Sequence, residues 1–217
     1  MLGVTHLVGF GAGVPAPPSI SYITSKVSST DATEYTFTSV GSGTPQANYL
    51  IIGVTGSPNN RTVSTLTYNG VSATQIKSQI SGDSVDTAEI WIVAPNTSSG
   101  SVVVTWSGAQ NRCGIGVWAA YNISPTASAT AGSTATPLSA SLAIPANGIA
   151  VGVAFSQMAA PGCTWTNLTE RYDEDLEGTA NNQSGADTTV TGASTPTITA
   201  DFTTELSHAL ALASWGA

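Results

Sequence analysis

Apolar and polar residues alternate with a period of two along most of this chain, and short runs of that kind recur at roughly 8–12 residue spacing from about Ile20 onward. The clearest runs cover 35–38, 49–55, 62–68, 71–78, 87–93, 101–106 and 113–121. A second series follows Pro125, over 138–144, 149–155, 163–169, 188–191, 197–202 and 208–215. No segment carries the 3.6-residue apolar period of a helix, so the pattern predicts an all-β chain. Asn69-Gly70 lies between two alternating runs and predicts a tight hairpin.

Parity assigns faces within these strands. Val102, Val104 and Trp106 fall on one side, which places Trp106 in a core. In 113–121, Ile115, Val117 and Tyr121 share one face, while Gly114, Gly116, Trp118 and Ala120 share the other. The run 208–215 repeats this, with Leu210 and Leu212 opposite Ala209, Ala211, Ala213 and Trp215. A face of small residues and one tryptophan fits close cover by the other half of the chain, a loop or a neighbouring subunit.

Three stretches echo one another in the same order. Residues 45–54 match 145–153, 101–106 match 197–202, and 113–118 match 208–213. The echoes predict two related halves, 19–124 and 137–217, joined through the Ser/Thr/Ala-rich segment 124–136. A half of about five strands cannot hide its apolar face alone. Two halves packed face to face make a jelly-roll-like antiparallel β-sandwich over 19–217, with two tandem domains as the alternative. Residues 1–18 stand apart as an extended N-terminal arm, in which Leu7, Val8 and Phe10 sit among glycines and a Pro-rich spacer follows. These three residues are the candidate docking contacts.

Composition narrows the class. Lys and Arg number 5 against 13 Asp and Glu, a net charge of −8, and charged residues are only 8% of the 217. There is no basic stripe to bind nucleic acid or an anionic membrane surface. No apolar run is long enough to span a bilayer as a helix. The beginning, with no basic residues before its apolar stretch, does not read as a secretory signal. Ser and Thr fill about a quarter of the chain, which suits a surface packed into an assembly.

Candidate chemistry is sparse. The two histidines are His6 and His208, and no nucleophile elbow, His-Glu-x-x-His or phosphate loop occurs. His208 reads as a strand histidine with a satisfied hydrogen bond. The acidic cluster Asp173, Glu174, Asp175 and Glu177 reads as a solvated loop, with calcium binding and a hydrolase site as rivals. Trp91 and Trp165 read as packing under loops, with stacking on a glycan as the rival that makes them candidate glycan-binding residues. Cys113 and Cys163 are read as buried thiols, although a pairing between them stays open. The expectation is a protein with no catalytic residues, metal or cofactor.

Tyr68-Asn69-Gly70-Val71, Glu89-Ile90-Trp91-Ile92-Val93-Ala94-Pro95, Gly100-Ser101-Val102-Val103-Val104-Thr105 and Ala119-Ala120-Tyr121 resemble a β-sandwich module of structural proteins in tailed bacteriophages and some bacterial surface proteins. The resemblance spans roughly 45–125 and extends more weakly into the second half. It implies a virion component on the particle exterior: a capsid decoration protein or a head or tail accessory protein. Its partners would be capsid or tail proteins and further copies of itself. A glycan-binding module for host attachment is the alternative.

Overall fold

Seventeen strands, all paired antiparallel, and no helix make up the described residues of the computed structural model, which are 16–57, 61–83, 85–157, 162–178, 181–203 and 206–217. The first half contains β1 (Ser19–Ser28), β2 (Ala32–Gly41), β3 (Tyr49–Ser57), β4 (Val63–Tyr68), β5 (Val71–Ser72), β6 (Thr74–Ile80), β7 (Thr87–Val93), β8 (Ser99–Gln110) and β9 (Arg112–Tyr121). The second contains β10 (Ala129–Ser133), β11 (Leu138–Ser141), β12 (Ile149–Gln157), β13 (Cys163–Thr166), β14 (Thr169–Asp175), β15 (Asn181–Thr189), β16 (Thr197–Phe202) and β17 (His208–Trp215). Asn69 and Gly70, both at positive φ (46° and 81°), turn β4 into β5 as the sequence predicts.

The two halves share one strand order. An inner sheet β1-β9-β3-β7-β6 corresponds strand for strand to β10-β17-β12-β15-β14, and the outer sheet β2-β8-β4-β5 corresponds to β11-β16-β13 with one short strand fewer. Each of the three sequence echoes joins strands in equivalent places: β3 with β12, β8 with β16, and β9 with β17. The chain is thus an antiparallel β-sandwich built from two related halves.

The layering is deeper than two faces. Each half is itself a pair of sheets, and the two inner sheets then pack on each other, so four sheets enclose three cores. The first core holds Trp106, Tyr68, Ile115 and Val117 between the first outer and inner sheets. The middle core holds Trp118, Ala120, Ala211, Ala213 and Trp215 between the two halves. The third holds Leu210, Leu212, Phe202 and Ile198. The extra strands come from segments without an apolar alternation. Thr169–Asp175 and Asn181–Thr189 are polar strands, and the Ser/Ala-rich joining segment supplies the edge strand β10.

The parity argument holds on both β9 and β17. Their branched apolar side chains enter the core of their own half, and their Gly/Ala/Trp faces turn to the opposite half. Small residues let the two inner sheets approach closely, while one tryptophan from each strand fills the remaining space. The cover left open by the sequence is the other half of the same chain.

Candidate functional site

The densest polar construction lies along the seam between the halves. Asp187 on β15 accepts two bonds from Arg171 on β14, at 2.7 and 2.8 Å, and one from the Trp118 indole of β9 at 2.9 Å. Gln183 accepts from the Thr55 hydroxyl at 2.9 Å and donates to Glu174 at 3.2 Å. Glu174 also accepts from Ser25 at 2.5 Å, and Ser25 accepts from Tyr22 at 2.8 Å. Asp83 accepts from Ser81 of its own half and from Ser207 of the other, both at 2.6 Å. Arg112 pairs with Glu177 across the seam and lies 3.6 Å from Asp31. Five of these contacts cross between the halves, Trp118–Asp187, Thr55–Gln183, Ser25–Glu174, Ser207–Asp83 and Arg112–Glu177, and together they fix the register of one half on the other.

Two further carboxylates lie within the first half. Glu89, fully buried, accepts from the Val63 N–H (3.0 Å), Gln75 (2.8 Å), Ser78 (3.3 Å) and the Trp91 indole (2.8 Å). Burial pushes its carboxyl up, and these four donors pull it back. Asp86, also fully buried just before β7, has the Ser57 and Ser207 hydroxyls as polar neighbours, with Asp83 and His208 nearby. Burial is its largest influence and raises it to about 6 from an ordinary 3.8.

That shift carries a sign. The folded protein holds a proton on Asp86 that the unfolded chain has released, so this residue's contribution falls as pH rises from about 4 to about 6. Asp86→Asn is therefore expected to come close to the parent near pH 4 and to exceed it by about 3 kcal/mol above about pH 7. Urea denaturation across that range measures the gap. A gap that stays constant with pH removes the assignment.

The residues singled out from sequence fall in different places. Trp91 is only 6% exposed, in the first core with its indole N–H on Glu89, so neither ring face can take a sugar. Its parity partners Thr87 and Glu89 are also buried, which makes the whole strand internal. Trp165 is half-buried beside the third core and donates to Ser184 at 2.8 Å. His208 lies 3.2 Å from the Thr136 hydroxyl and 3.2 Å from the Leu206 carbonyl, as a strand histidine should. Cys113 and Cys163 are free, buried, and in different cores, and burial raises both thiols. Leu7, Val8, Phe10 and the rest of 1–15 lie outside the described residues.

The acidic cluster is not a solvated loop. It belongs to β14 and the turn after it, with Glu174 and Glu177 committed to the seam and Asp173 accepting the Cys163 N–H at 2.9 Å. Sequence reasoning missed Gln183, Asp187 and Arg171 entirely. The available signal was a polar run, 181–187, of a length suited to a strand and bounded by turns.

The two outermost faces have another character. On the first outer sheet, Thr36, Val103 and Thr67 form one cross-strand row, and Glu34, Thr105 and Thr65 the next. On the second, Ser139, Thr199 and Thr166 form a row, followed by Ser141 with Thr197. Hydroxyls within these rows lie 3.2–3.3 Å apart. Shallow clefts of about 540 and 410 Å³ occupy corresponding positions in the halves, beside Pro145 and Pro45, and are lined by hydroxyl, proline and small side chains together with Ile144 in one and Tyr121 and Asn122 in the other. No protein-family model, curated protein or solved structure matches the chain.

Proposed function

We propose that this protein is a non-enzymatic surface module, a decoration or accessory component on the exterior of a tailed bacteriophage particle. The observation that supports this reading is the division of polar groups between inside and outside. Asp187, Gln183 and Glu174 are turned inward to clamp the halves, whereas the outer sheets present rows of threonine and serine in which Glu34 and Asp201 are the charged residues. Such a block is a rigid spacer whose outer faces neither repel identical neighbours nor attract polyanions. The Trp91 half of the glycan reading falls with its burial.

Docking on the particle is assigned to the N-terminal arm through Leu7, Val8 and Phe10. A short arm buries too little area for tight binding alone, and repeated copies on a symmetric shell supply the rest as avidity. Deleting residues 1–14 is expected to leave the β-sheet circular dichroism and melting temperature unchanged while abolishing co-sedimentation with particles. Co-sedimentation of the truncated chain at the parent level overturns the arm as anchor. Antibody labelling of intact particles tests the location itself, and particles that carry no label overturn the virion reading.

A further inference from the structure

We propose that Asp173, Asp175 and Asn182 form a binding site for a hard divalent cation, calcium in the first place, at the end of the second half where β14 and β15 meet. Asp173 and Asp175 are two residues apart on β14 and share a face. Their register partners on β15 are Ser184 and Asn182. That face looks toward the outer sheet, because Asp173 Oδ2 accepts the N–H of Cys163 at the start of β13. The Oδ1 atoms of Asp173, Asp175 and Asn182 are all buried, and none accepts a hydrogen bond within the protein. Asn182 is only 1% exposed, so its side chain is committed to this interior.

Among the described residues, the hydroxyl and imidazole groups in this row are already engaged. The Ser184 hydroxyl donates to the Tyr172 carbonyl and accepts from Trp165. Ser156, which flanks Asn182 on β12, donates to the Gln157 carbonyl. His208, next along the same row, is engaged by Thr136 and the Leu206 carbonyl. Three buried acceptor oxygens on two paired strands, two of them from carboxylates, are thus left without a partner while the described hydroxyls beside them are engaged elsewhere, an arrangement that costs several kcal/mol unless a cation resolves it.

The internal duplication supplies a control. In the first half, the N–H that opens β4 (Val63) meets a buried carboxylate, Glu89, as the N–H that opens the equivalent β13 (Cys163) meets Asp173. Glu89 receives three further protein donors, from Gln75, Ser78 and Trp91. The second half instead adds a second carboxylate and an amide oxygen. One half closes its corner with hydrogen bonds, and the other has the ligand chemistry of a metal. Oxygen-only donors select calcium over zinc, and calcium tolerates an irregular shell completed by water and backbone carbonyls. Glu177, which an alternating acidic motif would enlist, is held by Arg112, and Asn182 takes its place.

The test uses the full chain after removal of metals with a chelator. Terbium is the probe, sensitised through Trp165, whose indole reaches Ser184 beside Asp173. Saturable terbium luminescence displaced by calcium is expected, with a dissociation constant of about 0.1–1 mM. Calcium at about ten times that value should raise the melting temperature by about 3–6 °C over the chelated protein. Asp175→Asn should weaken binding about tenfold or more, and Asn182→Asp, which adds a carboxylate, should tighten it. Unsaturable luminescence together with identical melting in calcium and chelator overturns the proposal. So does an Asn182→Asp chain that folds and binds no better than the parent. The parent titration decides the matter if a variant fails to fold.

Discussion

Gly116→Val is expected to destabilise the protein by about 3 kcal/mol, lowering its melting temperature by roughly 6–12 °C. A Cβ at 116 falls well inside van der Waals contact of the Tyr172 ring, which crosses the seam from β14. The backbone of residue 116 cannot retreat, since β9 is paired on both sides, with Ser25 of β1 and Gly53 of β3. The ring cannot swing away either. A Cβ at Gly185 would strike the same ring, which stacks on Tyr22 at 5.9 Å and 25°, and the Trp118 ring centroid lies 5.9 Å from its own. Either the halves separate or the aromatic trio breaks. A double-mutant cycle with Tyr172→Ala separates this account from a general β-strand effect of valine. The pair should cost less than the sum of the singles by more than about 1 kcal/mol. Additive costs would mean that position 116 meets something other than the ring.

How legible was this seam? Its apolar faces were visible, although what covers them was not. Alternation in 113–121 and 208–215 separates the side chains of each half's own core from the small residues and tryptophans that meet between halves, and parity needs no tertiary knowledge. The duplication was visible because β3 with β12, β8 with β16 and β9 with β17 keep similar residues where they face similar surroundings. The polar part was invisible for a physical reason. An apolar period marks a strand only where the opposing layer is apolar. Asn181 to Asp187 is buried throughout, yet much of it meets hydroxyls, a guanidinium and an indole, so the strand reads as a loop. Trp91 is packed inside, as its main reading had it, but its polar company was not legible: Glu89, which shares its parity, accepts its indole N–H inside the first core.

Layer number follows from the same blindness. Counting only alternating segments gives too few strands for each half to form two sheets, and one sandwich split between the halves then becomes the natural solution. Adding β10, β14 and β15 completes a second inner sheet, which allows each half a core of its own and leaves a third core to be shared. The candidate cation site was half legible. The acidic run was plain, but the choice among its members was not, because Glu177 and Glu174 are claimed by residues of the first half.

Asp187→Ala should cost about 3–4 kcal/mol and report whether the halves are domains or one cooperative unit. Asp187 is 1% exposed and serves both halves at once, through Arg171 of its own and Trp118 of the other. Removing it leaves the indole N–H buried without an acceptor and deprives a partly solvated guanidinium of its bidentate partner. Asp187→Asn retains an acceptor for the indole while losing the charge, so it should cost about half as much. Raising the salt concentration should leave the difference between the two variants unchanged, because neither keeps the Asp187 charge and they differ by a neutral acceptor for the indole. Urea denaturation, followed by tryptophan fluorescence and by circular dichroism, gives the decisive reading. The middle core is built equally from both halves, so neither can unfold without exposing the inner face of the other. The midpoint should therefore fall while the slope stays unchanged and the two probes coincide. A second transition, or a shallower slope in the variant alone, would show that the seam is a contact between separately stable sandwiches and that Asp187 is the bond that had hidden it.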